Sequence, residues 1–420
     1  MGVRRTMRTK LLGIVAGLMA SVATFSGHAA ELIVYHGWSA QSEVNALNVL
    51  REALEAKGHT WKDLAIPHNS GVNVSIVNMV TGGEPPNAFV TSDPNVFRDL
   101  QKMGLARDLT AYYGEIGATD GFFPIIRQLS TVDGQMVKIP LFMHIDGMVY
   151  WNKEVAEKTG VDPASWQDID QMLGDFQKVK DAGFVPVAVG SQAFQVGYLF
   201  HTLLAAVGGP EIYNRLYAEE PDASVLQTPE FRKAVEVVRA FSNEAGPEAE
   251  NRPWNEATNT VITGQALFQV MGDWMKGEWL AAGKVPGVDF GCEVIPGAKA
   301  VPVTSDAMGI LGGQNEEIDK AELDLVAAFV DPVVSAKANQ QKGSTSPRAD
   351  APTEFQDACN KVAMDALNKP DAQVPNPFNV IDADWNNAIW NVMFNYWSDK
   401  SQTVDDVVQA LEDERDAIFG

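Results

Sequence analysis

The chain has 420 residues, of which 45% are hydrophobic and 21% are charged, with 55 acidic side chains against 32 basic ones. This length exceeds what one hydrophobic core usually supports, so we expect two domains, and the apolar content excludes a mostly disordered chain. The formal charge of −23 excludes a nucleic-acid-binding function, because neutralising phosphates requires clustered lysine and arginine.

The first thirty residues have the pattern of a secretory signal. Basic residues precede the apolar run 11–25, and the small-residue segment 26–30 follows it. The run is short for a membrane anchor and contains two glycines, which favours a cleaved signal. We therefore expect residues 1–30 to be removed and the protein to be exported, with the bacterial periplasm as its location.

Strand and helix patterns alternate in the first part of the mature chain. A β-rich run over 32–35 is followed by an amphipathic helix over 43–57. The pattern predicts a second strand over 72–77 and a third over 88–91, with a helix beginning near Pro94. Strands that alternate with helices at this spacing indicate a parallel sheet in an α/β domain.

The alternation starts again near residue 148. We predict strands over 148–151, 184–189 and 266–271, and helices over 168–181, 196–207, 229–245 and 319–342, the last broken at Pro332. Further helices are predicted from residues 353, 382 and 403. Apolar residues on two faces of the segment 385–397 indicate a helix packed on both sides, so the C-terminus belongs to a core.

Polar and aromatic side chains follow the predicted strands, at the edge where open α/β sheets bind ligands. Trp38 and Trp274 each follow a strand beside an acidic residue, so we interpret them as rings that stack on a ligand. Trp254 is compatible with either a ligand contact or a core position. The candidate binding residues from this pattern are Trp38, Ser39, Glu43, Asp93, His144, Gln195, Trp254, Asp273, Trp274 and Asp306. Six other tryptophans are interpreted as core residues: Trp61, Trp166, Trp279, Trp385, Trp390 and Trp397.

Flat rings combined with carboxylates and amides match the surfaces of a sugar. Its C–H faces stack on indoles, and its hydroxyls both donate and accept hydrogen bonds. The chain has no G-x-S-x-G turn, no phosphate-binding loop and no G-x-G-x-x-G after a strand. Paired carboxylates such as Glu43 and Asp273 leave a secreted glycoside-acting enzyme as the alternative. The six histidines lack metal-ligand spacing, so we expect no metal and no cofactor.

Several segments carry a resemblance to a known family, namely 37–43, 83–88, 139–153, 254–258, 271–278 and 342–348. The more specific ones contain Gly272-Asp273-Trp274 and Lys342-Gly343-Ser344. Over nearly the whole mature chain, the sequence resembles the extracellular solute-binding proteins of bacterial ABC sugar importers, in the branch that includes glucose- and mannose-binding proteins.

The resemblance implies a periplasmic-binding-protein-like α/β fold with two lobes, a hinge and an inter-lobe cleft. The implied N-terminal lobe comprises residues 31–142 plus 295–335, and the implied C-terminal lobe comprises 143–294 plus 336–420. It also implies a monomer that passes a carbohydrate to the permease subunits of an ABC transporter.

The resemblance assigns the site residues to opposite sides of the cleft. Trp38 and Glu43 are expected from one lobe, and His144, Trp254, Asp273 and Trp274 from the other lobe or its edge. The resemblance adds Lys342, which would approach from the return crossing, and Asn379, which stands near a position where the glucose-binding branch has a histidine.

Only two cysteines are present, Cys292 and Cys359. In an oxidising compartment an even pair predicts a disulfide, and two buried free thiols are the alternative. The resemblance favours the disulfide, because the corresponding cysteines of the family look like a structural pair.

The chain departs from the glucose-binding branch near the implied site. That branch usually has two adjacent tryptophans where this chain has Gly37-Trp38, and a lysine near Ser92. The residues after His144 also differ. A changed pocket holds a changed ligand, so we predict a carbohydrate or polyol without specifying glucose. A non-sugar solute such as a polyamine or an iron chelate is a further alternative.

Overall fold

The computed structural model describes residues 1–2, 29–66, 75–246, 249, 252–381 and 383–420. Almost all of the predicted secretory signal therefore lies outside the described residues. Within the described ranges, no helix combines the length and apolar character that crossing a membrane requires.

The strands form two main sheets and one small hairpin. They are β1 (Glu31–His36), β2 (Thr60–Ala65), β3 (Ala88–Val90), β4 (Thr131–Val132), β5 (Gln135–Met136), β6 (Ile139–Ile145), β7 (Met148–Asn152), β8 (Val185–Val187), β9 (Ala266–Met271), β10 (Phe290–Val294), β11 (Val301–Ile310) and β12 (Gln373–Pro375).

Helices cover both sheets. They are α1 (Gln41–Glu55), α2 (Ile76–Thr81), α3 (Pro94–Lys102), α4 (Thr110–Glu115), α5 (Pro124–Ser130), α6 (Lys153–Thr159), α7 (Ile169–Gly174), α8 (Phe176–Asp181), α9 (Ala193–Leu216), α10 (Pro229–Glu244), α11 (Trp254–Ile262), α12 (Met275–Ala281), α13 (Glu316–Phe329), α14 (Pro332–Lys342), α15 (Ala358–Leu367), α16 (Ala383–Ser398) and α17 (Val404–Phe419).

The first sheet has the strand order β12-β11-β3-β1-β2, and β6 pairs with β11. Strand β1 runs parallel to β2 and β3, whereas β11 runs antiparallel to β3 and β6. Val34 and Tyr35 of β1 point to opposite faces and are both buried, as expected for a strand covered on both faces. The parallel strands β1 and β3 end at one edge, followed by Trp38 and Asp93.

The second sheet has the order β10-β7-β9-β8, with β7 antiparallel to both neighbours and β8 parallel to β9. The apolar run predicted as a buried strand forms β8, and β9 has the predicted bounds. The expectation of an α/β architecture is confirmed.

Two connections between consecutive strands cross from one main sheet to the other and lie next to each other. Asp146 and Gly147 join β6 to β7, and residues 295–300 join β10 to β11. The crossings bond to each other, since the Ile295 amide donates to the Gly147 carbonyl at 2.8 Å and the Asp146 amide donates to the Pro302 carbonyl at 2.9 Å. Gly147 has φ of 83°, and a Cβ there would lie 2.6 Å from Cγ2 of Thr202. Both the positive φ and the lack of room for a Cβ therefore exclude a side chain at position 147.

Helix α14 packs against α1 beside the first sheet. The predicted break at Pro332 is confirmed, because α13 ends at Phe329 and Asp331 caps α14 through the amides of residues 333 and 334. The lobe boundary expected between residues 335 and 336 falls inside this helix.

Three predicted elements differ from the structure. The strand predicted over 72–77 is wrong at its end, where Ser75 caps helix α2 by accepting from the Asn78 amide; residues 72–74 lie outside the described residues. The second strand of the sheet is instead β2. The helix predicted over 168–181 is two short helices, α7 and α8, and the segment from Thr353 starts with a 3₁₀ turn before α15.

Cys292 in β10 and Cys359 in α15 are joined by a disulfide. The amine of Lys276 in α12 adds a second tie to this region by donating to the Asn360 side chain at 2.7 Å. Helix α15 is thus attached to the second sheet by a covalent bond and a buried polar contact.

Candidate functional site

A buried histidine lies between two carboxylates where the sheets meet. His144 is in β6, Asp273 directly follows β9, and Asp306 is in β11. Nδ1 of His144 is 2.6 Å from Oδ1 of Asp273, and its Nε2 is 3.3 Å from Oδ2 of Asp306. The sheet pairing explains this arrangement, because β6 and β11 are neighbours and the Asp273 amide donates to the carbonyl of Ile145.

The imidazole ring of His144 is doubly protonated and positively charged at neutral pH. Burial lowers its pKa, but the charges of Asp273 and Asp306 and the hydrogen bonds to them outweigh burial and raise the pKa to about 9. Both ring nitrogens then donate, one to each carboxylate. The cluster therefore has one positive and two negative charges, and it orients both carboxylates.

Asp273 has one carboxylate oxygen that is not used by the protein. Its side chain is 3% exposed, and Oδ2 has no hydrogen-bond partner among the described residues. A buried acceptor without a donor is costly, by about 1–3 kcal/mol. A ligand hydroxyl or ammonium group that donates to this oxygen would remove that cost.

Three aromatic rings form a wall that meets the ring of His144 through Trp274, and we call it the aromatic wall: Trp274, Tyr198 and Trp390. The centroid of Tyr198 lies 5.5 Å from that of Trp274 and 5.8 Å from that of Trp390. The His144 ring meets Trp274 edge-on at 5.1 Å. Trp274 lies directly over Gly272, where a Cβ would be 1.8 Å from its ring. This close approach explains the glycine before Asp273 and fixes the orientation of the indole.

Trp38 belongs to the same chain of rings but is packed differently. Its ring lies 5.3 Å from Phe142, which in turn lies 6.4 Å from His144. The ammonium of Lys342 lies 5.4 Å from the Trp38 ring, within the range of a cation–π contact. Trp38 and Trp274 are thus connected through Phe142 and His144, and Trp38 is only 7% exposed.

Glu43 is occupied by contacts within the protein. Its Oε2 accepts from the amides of Ser39 and Ala40 at 2.9 Å, and its Oε1 is 3.2 Å from Nζ of Lys342. These bonds hold the turn between β1 and α1, and they join α1 to the end of α14. The pair thus fixes the position of Trp38, and the protein itself occupies both Glu43 oxygens.

Helix α12, which follows the second sheet, touches α1 of the first. Glu278 accepts from the Ser42 amide at 3.0 Å, at the N-terminus of α1. A Cβ at Gly277 would lie 2.5 Å from Cβ of Ser42 and 2.6 Å from the Lys342 carbonyl. Only glycine permits this approach, so the Gly277-Glu278 and Lys342-Gly343 segments noted in the sequence meet in space.

Replacing Glu278 by alanine is expected to weaken ligand binding about fivefold. The change removes a helix cap worth about 1 kcal/mol between the two halves of the molecule, which disfavours the arrangement in which they touch. Isothermal calorimetry measures the affinity. Glu278→Gln retains the acceptor oxygen and serves as the matched control; equal affinities for Glu278→Ala and the wild type would contradict the expectation.

Several of the other predicted binding residues do not belong to the cluster around His144. Asn379 is committed to the backbone of Ser305, accepting from its amide at 2.9 Å and donating to its carbonyl at 3.2 Å. Asp93 caps α3 by accepting from the Asn95 amide. Ser39 is exposed, and Trp254 is half-buried at the start of α11.

Gln195 is buried near the start of α9. Its Nε2 donates to the side chain of Gln192 at 2.8 Å. Its Oε1 has no hydrogen-bond partner within the described part of the chain.

Two rings of the aromatic wall, Tyr198 and Trp390, are not among the binding residues predicted from the sequence. Trp390 was interpreted as a core residue, but it is half-buried, and its Nε1 has no hydrogen-bond partner among the described residues. The other five tryptophans interpreted as core are buried. Tyr198 could have been found from Phe194, four residues earlier, because an aromatic pair at this spacing in a helix directly after a strand marks one helical face.

Four of the candidate residues are buried from solvent in this conformation. His144, Asp273, Trp274 and Lys342 are each less than one-tenth exposed. A surface cavity of about 510 Å³ beside Trp166, and another of about 830 Å³ beside α6, contain none of the candidate residues. Across the described ranges, His, Cys, Asp and Glu side chains form no group of three or more able to hold a metal ion.

Comparisons with known proteins agree with this architecture. The family described as bacterial extracellular solute-binding protein matches residues 40–340. A Mesorhizobium japonicum protein named "probable sugar-binding periplasmic protein" is 32% identical over 370 residues, covering 86% of this chain and 87% of the relative. An ABC transporter extracellular-binding protein of Pyrococcus horikoshii is 28% identical over 353 residues, covering 82% and 78%.

The fold is also similar to solved structures. A chitin oligosaccharide binding protein superposes with a TM-score of 0.79 at 19% identity, covering 93% of this chain and 99% of that one. At this level of identity the likeness shows a shared fold.

Proposed function

The chain belongs to the bacterial extracellular solute-binding proteins, and on that premise we propose that it binds a carbohydrate or polyol in the periplasm and delivers it to the permease subunits of an ABC transporter. The name of the Mesorhizobium japonicum relative supports the ligand class, and that of the Pyrococcus horikoshii relative supports the transporter. We propose that the protein acts as a monomer and without catalysis.

One observation carries the proposal for the ligand. Asp273 has a buried carboxylate oxygen that no described residue uses, and its partner His144 meets the Trp274 ring of the aromatic wall. A sugar offers both matching surfaces, a hydroxyl that donates to the oxygen and a C–H face that packs on an indole. Asp306 is a second carboxylate at this point, oriented by the same imidazolium.

We propose that binding requires the two lobes to separate and close again. Four candidate residues are buried from solvent, and they come from β6, from the end of β9 and from α14: His144, Asp273, Trp274 and Lys342. A ligand that contacts both halves favours the closed arrangement over an open one, by hinge bending of the kind known for periplasmic binding proteins. The boundary expected between residues 142 and 143 falls inside β6, and the boundary expected between residues 294 and 295 falls at the end of β10.

The test is calorimetry of the mature protein against D-glucose, D-galactose, D-xylose, maltose, sorbitol and putrescine. We expect at least one sugar or polyol to bind with micromolar affinity or better and to reduce the radius of gyration in small-angle scattering. Tight binding of putrescine alone would replace the sugar proposal with a polyamine proposal. Product formation from oligosaccharides would indicate a glycoside-acting enzyme instead.

A further inference from the structure

We propose that Asp146 is a positioning residue that connects the strand crossing to the aromatic wall. It lies in the turn between β6 and β7, and it is fully buried, so it acts on a ligand only through other side chains. The inference rests on the proposed function in so far as Trp274, Tyr198 and Trp390 contact the ligand.

Asp146 accepts hydrogen bonds from two elements that are distant in sequence, and a side chain of a third element lies against it. Oγ1 of Thr304 lies 3.1 Å and 2.9 Å from its two carboxylate oxygens. Nδ2 of Asn376 lies 2.7 Å from Oδ2, and Nε2 of His201 lies 3.3 Å from the same oxygen. Thr304 is in β11, Asn376 follows β12, and His201 is in α9. One side chain therefore connects the first sheet to the helix that carries Tyr198.

The partners of Asp146 are also the partners of Tyr198. Thr304 and Asn376 both lower the pKa of Tyr198 as hydrogen-bonding neighbours of its hydroxyl. Its ring centroid lies 4.6 Å from that of His201. Burial raises the pKa of Tyr198 well above its usual value, and the Asp146 charge adds to this effect, so the hydroxyl remains protonated and able to donate. The orientation of Tyr198 is thus set by the network that Asp146 organises.

A carboxylate suits this position because it only accepts. A hydroxyl and an amide donate to it, and the imidazole of His201 lies 3.3 Å from one of its oxygens. An asparagine at position 146 would introduce two donor hydrogens into a group that already supplies donors. We expect the hydroxyl of Thr304 and the ring of Tyr198 to reorient in response.

The test is a double-mutant cycle between Asp146→Asn and Tyr198→Phe, read first without ligand. The near-UV circular dichroism of the full chain reports the environment of its ten tryptophans, of which Trp274 and Trp390 belong to the aromatic wall. We expect each single variant to reduce the tryptophan signal, and the double variant to show no further change. Asp162→Asn, an exposed helix cap, is the control and should leave the signal unchanged.

The same variants are then titrated with D-glucose, D-galactose, D-xylose and maltose. For whichever of these sugars binds the wild type, we expect Asp146→Asn to weaken binding threefold to tenfold, and less than twofold in the Tyr198→Phe background. Additive effects, or an unchanged dichroism signal in Asp146→Asn, would overturn the inference.

The controls separate this inference from the proposed function. If none of the four sugars binds the wild type, the proposed function is weakened, while the ligand-free dichroism cycle still decides the role of Asp146. If Asp146→Asn does not fold, Thr304→Val removes the hydroxyl that lies between Asp146 and Tyr198, and it must give the same dichroism change as Tyr198→Phe.

Discussion

Replacing Trp274 by alanine is expected to weaken carbohydrate binding by one to two orders of magnitude. The indole offers an apolar surface for stacking beside the unpaired oxygen of Asp273, and losing such a ring costs about 1.5–3 kcal/mol. His144 and Tyr198 also meet its ring edge-on, so the truncation loosens both neighbours. Calorimetry with the sugar that binds the wild type measures the effect.

The controls for Trp274→Ala address folding and ring chemistry separately. Trp274→Phe keeps an aromatic face and should lose less affinity than the alanine variant. Far-UV circular dichroism should be the same for all three proteins. An alanine variant that binds as tightly as the wild type would reject the role of this ring.

The contribution of His144 to the free energy of unfolding is expected to fall by about 3 kcal/mol between pH 6 and pH 10. Its pKa in the folded protein is about 9, compared with about 6.5 in the unfolded chain. A raised folded pKa gives a stabilisation that is complete below pH 6.5 and is lost as the pH rises through 9. The shift corresponds to about 3 kcal/mol.

Urea unfolding of the wild type and of His144→Gln across this pH range measures the effect. The quantity to compare is the difference between the two unfolding free energies at each pH. Burial also lowers the pKa of Lys138 to about 7, but this group is present in both proteins and cancels in the difference. A difference that stays constant from pH 6 to pH 10 would contradict the protonated state of His144.

Local sequence signals predicted most of the fold. The alternation of strands and helices is a property of neighbouring residues, so β1, β7, β9 and the break between α13 and α14 could be predicted from hydrophobic pattern and proline alone. The prediction of a strand over 72–77 failed at its end because the hydroxyl of Ser75 caps a helix. Over so short a segment, a helix-capping signal competes with the alternation of apolar and polar residues.

The candidate site was only partly predictable. Strand exits identify where ligand-binding side chains can lie, which gave His144, Asp273 and Trp274. The sequence does not reveal which polar groups the protein itself uses. Glu43 pairs with Lys342, 299 residues away, and Asn379 bonds to the backbone of Ser305.

The sequence by itself determined the order of elements and the residue types available at the strand ends, because these depend on local pattern and composition. Its resemblance to known sequences indicated the family. Only the tertiary structure decided which acids are neutralised internally and which retain an unused oxygen. That distinction between Glu43 and Asp273 depends on long-range pairing across the crossings, and it also determines which rings come together as the aromatic wall. Packing sets the burial and hydrogen bonding between distant segments, and neither can be inferred from the pattern of neighbouring residues.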